Sequence, residues 1–146
     1  MAEEEEEFRR IAPDNATHVV LDMQYVPQRA FCEHPNIAVV ICSENVKEIL
    51  GAAFADCYSL RQVIMPGVKL IGNSFICCEA LEDVLCDKVE IIKEWAFSSC
   101  SSLRSINLPS ARIVEKYTLG NCPALTDVTF GSNLERIDRI RWLHQS

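Results

Sequence analysis

Six columns of residues recur down this chain, and they constrain its fold more than any other feature. Phe31, Phe54, Phe75, Phe97 and Leu119 stand 23, 21, 22 and 22 residues apart. Three residues after each come His34, Cys57, Cys78, Cys100 and Cys122, then Ile37, Leu60, Leu81, Leu103 and Leu125. The next apolar columns are Val40, Val63, Val84, Ile106, Val128 and Cys42, Met65, Cys86, Leu108, Phe130. Five residues before the phenylalanine column lie Val26, Ile49, Leu70, Ile92 and Val114. A unit this short cannot bury its own apolar side. Stacked copies align their columns into one continuous core, so the register itself predicts a solenoid.

Within each unit the spacing assigns local structure. "LRQVIM" ends on period-two alternation, which is a short strand, and stacking pairs such strands into a parallel sheet. Pro66 and Pro109 stop two of these strands. The V-x-x-I half, as in "VEII" and "LERI", is expected to run extended along the opposite side. "AFSSC" is expected to form a tight helical turn or 3₁₀ piece.

The phrases "IGNSFICCEALEDV" and "WAFSSCSSLRSINLP" resemble the pattern I-G-x-x-A-F-x-x-C-x-x-L-x-x-V-x-L-P of BspA-like leucine-rich repeats. The resemblance covers about residues 17–142. It implies a leucine-rich-repeat solenoid, mostly β, with parallel short strands on one face and short helical or 3₁₀ turns on the other. Five repeats with partial end units are expected over 17–142, an acidic lead-in over 1–16 and a short tail over 143–146. Such repeats are similar to those of bacterial and protist surface proteins and of expanded families in microbial eukaryotes. The resemblance implies a non-enzymatic scaffold that binds protein, and it brings no catalytic residue with it.

Composition narrows the partners. The 146 residues suffice for one domain with a sizeable core. Net charge is −7, but Glu3 to Glu7 supply five of the acids, and without them 16 acids face 14 bases. No basic patch is visible, which argues against nucleic acid and against an anionic membrane surface. No apolar run approaches the length of a bilayer span, and "IAVVIC" is strand-sized. The opening "MAEEEEEFRR" is unlike a signal peptide, so a cytoplasmic protein with reduced thiols is the expectation. On that reading the N-x-T triplet at Asn15 to Thr17 carries no sugar.

Eight cysteines raise the question of chemistry. No C-x-x-C occurs, and His18, His34 and His144 form no ligand pair, so no metal site and no cofactor are expected. Rungs about 4.8 Å apart place Cys57, Cys78, Cys100 and Cys122 in an interior ladder. That spacing is compatible with disulfides between rungs. The structural alternative is that a small, weakly hydrogen-bonding side chain fits a tight buried turn. His34 takes the cysteine position one rung before Cys57, either touching that thiol or satisfied as a core histidine. Cys32 and Cys77 stand outside the ladder, with Cys77 expected to be more exposed than Cys78. Motifs of nucleophilic, P-loop or zinc-protease chemistry are missing from the sequence.

Binding is therefore assigned to the sheet face, where outward side chains alternate with buried ones. The candidate protein-binding residues are Val39, Ile41, Gln62, Ile64, Asp83, Leu85, Asp87 and Asn107. The middle outward column reads Ile41, Ile64, Leu85, Asn107, Thr129, apolar in three rungs and polar in two. An apolar outward stripe marks an interface, although β-branched residues also simply suit strands. A third possibility is that the segment around Phe8 and Ile11 folds back over it. The expected partner is a protein, through this face or at the C-terminal end. There Ile140, Trp142 and Leu143 must cover the last rung, or something else must. A structural subunit of a larger assembly and a surface or adhesion protein are the alternative readings.

Overall fold

The computed structural model describes residues 12–138. Each rung of the chain contributes one strand to each of two faces. They run β1 (His18–Leu21), β2 (Tyr25–Val26), β3 (Val39–Cys42), β4 (Glu48–Ile49), β5 (Gln62–Ile64) and β6 (Leu70–Ile71). The later rungs supply β7 (Asp83–Leu85), β8 (Ile91–Ile92), β9 (Ser105–Leu108), β10 (Ile113–Val114), β11 (Asp127–Phe130) and β12 (Arg136–Ile137). All pairing is parallel between successive rungs, so the described residues form a parallel-strand β-solenoid.

The two faces differ. The short even-numbered strands form one unbroken six-stranded sheet, β2-β4-β6-β8-β10-β12. The odd-numbered strands split into a four-stranded sheet, β1-β3-β5-β7, and a pair, β9-β11. The break is visible in individual hydrogen bonds. At each intact step one carbonyl accepts two successive amides of the next rung. Thr17 O takes Ala38 and Val39, Ala38 O takes Arg61 and Gln62, Arg61 O takes Glu82 and Asp83, and Arg104 O takes Thr126 and Asp127. The corresponding bonds from Arg104 and Ser105 to Glu82 are absent, which leaves a seam between β7 and β9.

The core lies between the faces. The predicted columns are buried except at Leu70 and, in the last rung, at Val128 and Phe130, which are half-buried; Phe54, Phe75 and Phe97 are fully enclosed. Their rings stack with Phe31 in one column, centroids 5.2, 5.4 and 5.2 Å apart and nearly parallel. Parallel stacking is what a one-rung repeat imposes on identical side chains, and each such pair contributes roughly 0.5–1.5 kcal/mol beyond its buried area. Val46, Val68, Val89 and Ala111 add a buried column that completes the V-x-x-I half.

Two expectations are corrected. Leu70 is not the column residue of the third rung: it faces outward and is half-buried, and Ile71 is buried in register with Ile49 and Ile92. The rung from Phe54 to Phe75 is the short one, and its missing residue falls after Ile71, not before it. "VKLI" reads as V-x-x-I only if Ile71 is the buried residue.

The second correction concerns the corner at "AFSSC". No helix or 3₁₀ piece occurs there among the described residues; the corner is a run of turns. Alternate amides go to different partners. Ala30, Cys32 and His34 donate within the turn, to Pro27, Arg29 and Phe31, while Arg29, Phe31 and Glu33 donate to Gly51, Ala53 and Ala55 of the next rung. A helix would claim every amide for itself. Here left-handed residues interrupt it: Glu33, Asp56, Cys77, Ser99 and Asn121 all have φ between 56° and 62°. Gly67 marks a tight approach after Pro66, since a Cβ there would run into the Glu44 carbonyl of the preceding rung.

Candidate functional site

The site is built by strand alternation. Along β3, Val40 and Cys42 turn inward and Ile41 outward. Along β7, Val84 turns inward while Asp83 and Leu85 turn outward. Parallel register then lines the outward residues up across rungs. Val39, Gln62 and Asp83 form one column, and Ile41, Ile64 and Leu85 the next. Asp87 lies exposed just beyond β7, two residues past Leu85. Six of the eight candidate residues thus share one continuous sheet, with Asp87 at its margin. Asn107 does not: it lies across the seam on β9, paired with Thr129, whose hydroxyl is hydrogen-bonded to the Asn107 side-chain oxygen.

The stripe is longer than the sequence reading made it. Val20 is in register with Ile41 and is 72% exposed, against 37% for Ile41 and 52% for Leu85. Ile64 is half-buried between its neighbours. The signal for Val20 was present in the Val19, Val40, Val63 alignment, which makes the following residue an outward one. The Phe8 and Ile11 segment and the Ile140, Trp142 and Leu143 end both lie outside the described residues.

Carboxylates border this stripe. Asp22 accepts from the Ser43 hydroxyl at 2.7 Å and the Asn45 amide at 2.9 Å, and these bonds hold its pKa below the usual value. The opposite face is arranged differently, with charges compensating one another. Glu90 sits between Lys69 at 4.0 Å and Arg112 at 3.5 Å, Arg112 also pairs with Glu135, and Glu115 joins Lys93 and Arg136 at 3.6 and 3.7 Å.

A second feature escaped sequence reasoning. Trp95 and Tyr117 stack at 4.7 Å on the corner, both in left-handed conformations, and Trp95 is 42% exposed. Their shared position two residues before the phenylalanine column is the signal that could have paired them.

The cysteine ladder is structural. Cys57, Cys78, Cys100 and Cys122 donate to the carbonyls of Phe31, Phe54, Phe75 and Phe97, each one rung back, at 3.0 to 3.2 Å. Each of these four carbonyls also takes an amide within its own turn, so the thiol fills its second lone pair. Burial pushes Cys42, Cys57 and Cys86 up to about 12 and raises Cys78 and Cys100 well above the ordinary range. A nucleophilic thiolate needs the reverse. His34 performs the cysteine's task at the first rung, donating from Nε2 to Ala12 O and Pro13 O at 3.1 and 3.0 Å, while Nδ1 accepts from Asn36 and Ile37. Cys77 is half-buried and Cys78 buried. Among the described residues no cluster of ligands suits a metal, and no helix is long and apolar enough to cross a membrane.

Comparison with known proteins follows the same lines. The family model of the BspA type leucine rich repeat region matches residues 23–142 in six copies. No match is found among curated proteins. The structure is similar to a leucine rich cell surface protein from Faecalibacterium prausnitzii A2-165, with 26% identity and a TM-score of 0.75 over 82% of this chain and 37% of that one. It is also similar to the T. pallidum leucine rich repeat protein, at 24% identity and a TM-score of 0.63 over 79% of this chain and 73% of that one. A third similar structure is a leucine-rich repeat protein from Bacteroides ovatus ATCC 8483, at 24% identity and a TM-score of 0.55 over 82% and 38% of the two chains. The chain thus spans well under half of the first and third of these, and the two at 24% speak to the fold alone.

Proposed function

We propose that this chain, which belongs to the BspA-type leucine-rich repeat family, is a non-enzymatic interaction module that holds a protein partner on its odd-numbered strands. The observation that carries this reading is the stripe Val20, Ile41, Ile64, Leu85. Four apolar side chains in register stand outward on a hydrogen-bonded support, on a face whose flanking columns are polar apart from Val39 and Pro66. A solvent-facing position tolerates any polar residue, so an apolar run at one register over four rungs signals contact. The strands that carry the stripe are already paired with one another, which reduces the ordering cost of association. The buried, high-pKa thiols favour binding over cysteine chemistry.

The similarity to the F. prausnitzii cell surface protein favours a second reading, a repeat segment displayed at a cell surface. Both readings use the same face and differ in where the partner is met.

The test is affinity capture from the native source with the parent chain and an Ile41→Glu/Leu85→Glu variant as baits, read by mass spectrometry. The expected result is a protein held by the parent and lost with the variant, while circular dichroism of the two chains coincides. Identical captured sets with both baits would overturn the sheet-face reading.

A further inference from the structure

The charges bordering the stripe identify the kind of partner it fits; this inference rests on the sheet-face reading and makes it specific. On β7 the outward order is Asp83, Leu85, then Asp87 just past the strand, so a carboxylate flanks the stripe on each side. Asp22 stands at the equivalent place beside Val20, two residues on. At about 3.3 Å per residue, each carboxylate-bearing residue stands roughly 6.6 Å to one side of the stripe.

None of Asp22, Asp83 and Asp87 is in an ion pair among the described residues, in contrast to the opposite face, where Glu90, Glu115 and Glu135 all are. Arg61 and Arg104 stand at the margin, one residue before their strands, and among the described residues neither lies within ion-pair distance of a carboxylate. Glu90, Glu115 and Glu135 of the opposite face thus each have a cationic partner, whereas among the described residues Asp22, Asp83 and Asp87 stand without one beside exposed apolar side chains.

Geometry selects the shape of the occupant. Rungs repeat about every 4.8 Å, so the stripe from Val20 to Leu85 runs roughly 14 Å across the strands. A helix brings one face round every 5.4 Å, and apolar residues at i, i+4, i+7 and i+11 span about 16 Å. An extended segment repeats its same-side residue about every 6.6 Å and falls out of step by the second rung. A helix is also about 10 Å across, which puts side chains on its two flanks over the carboxylates.

We infer that the stripe Val20, Ile41, Ile64, Leu85 receives an amphipathic helix of a partner protein, lying across the strands with lysines or arginines on both flanks of its apolar row. Residues Glu3 to Glu7 of this chain carry the wrong charge for that position, as do anionic lipid and nucleic acid.

The experiment uses the full chain and two synthetic helical peptides with leucine at i, i+4, i+7 and i+11. One is flanked by lysine and arginine, the other by glutamate. Affinity is read by fluorescence anisotropy at low and physiological salt, and phosphatidylserine vesicles serve as a third ligand. The basic peptide is expected to bind about tenfold or more tighter than the acidic one, and Asp83→Asn/Asp87→Asn is expected to remove most of that preference. Leu85→Ser is expected to weaken both peptides. Equal affinities would overturn the charge assignment and leave the sheet-face reading standing, provided that Leu85→Ser still weakens both. Binding only of the acidic peptide or of the vesicles, or no binding of either peptide while the capture experiment succeeds, would overturn the inference. Failure of both experiments would remove the sheet-face reading itself.

Discussion

The thiol of Cys78 donates to the backbone carbonyl of Phe54, 3.1 Å away and one rung back in the stack. That carbonyl already accepts the Cys57 amide at 3.3 Å. The turn at each corner points a carbonyl into a dry core with one lone pair unmet, and the next rung's cysteine meets it. The repetition of cysteine follows from a hydrogen-bonding need, not from redox chemistry.

Removing one thiol should therefore cost more where it donates well. Cys78→Ala is expected to destabilise the chain by roughly 1–3 kcal/mol. Cys86→Ala should cost less, because that thiol donates to Asn107 O only at 3.8 Å. Urea midpoints for the two variants decide it; equal losses would show that the thiol bond contributes nothing.

The raised thiol pKa values also set a pH dependence. A buried thiol near 12 stays protonated where an unfolded one near 9 ionises. The unfolded state then holds fewer protons, so stability should fall as pH rises from about 9 towards 12. Below 9 these thiols add no pH dependence. Unfolding midpoints across that alkaline range test the sign. Alkylation at pH 8 should reach Cys57, Cys78, Cys100 and Cys122 only after denaturant is added.

Phe75 stacks on Phe54 at 5.4 Å and on Phe97 at 5.2 Å. Phe75→Ala should cost about 3–5 kcal/mol, and Leu81→Ala in the same rung about 2–5 kcal/mol. A small domain has little more than that to lose. Parent-like urea midpoints for both would contradict the column assignment.

The seam should show in hydrogen exchange. Amides of Arg104 and Ser105 lack the cross-rung carbonyl that their counterparts Glu82 and Asp83 have in Arg61 O, at 2.9 and 3.1 Å. They should exchange faster than both their counterparts and Thr126 and Asp127. Uniform protection from β5 to β11 would mean that the ladder is continuous in solution.

Leu85→Glu should leave the far-ultraviolet spectrum and the urea midpoint nearly unchanged, since Leu85 faces water. Ile64→Glu should be tolerated less well, because Ile64 is half-buried between its neighbours. Unfolding by Leu85→Glu would place that side chain in a core and remove the stripe.

Periodicity alone determined the solenoid, the inward columns apart from the third rung's Leu70, and the side of each odd-numbered strand that faces water. It could do so because a residue's place in a one-dimensional stack depends on its offset within the unit and on nothing remote. Val40, Val63 and Val84 are buried for the same local reason in every rung. The tertiary structure decided what depends on the neighbouring rung. Ile71 takes the place of Leu70 because the short third unit drops its residue at the corner, and pairing with Ile49 reveals where. The corner is a run of turns because alternate amides find carbonyls in the adjacent rung, which no window along one chain segment records. The seam beside β9, the Trp95–Tyr117 stack and the carboxylates left uncompensated around Leu85 arise from distances between rungs. The sequence carries the order of those rungs and not their spacing.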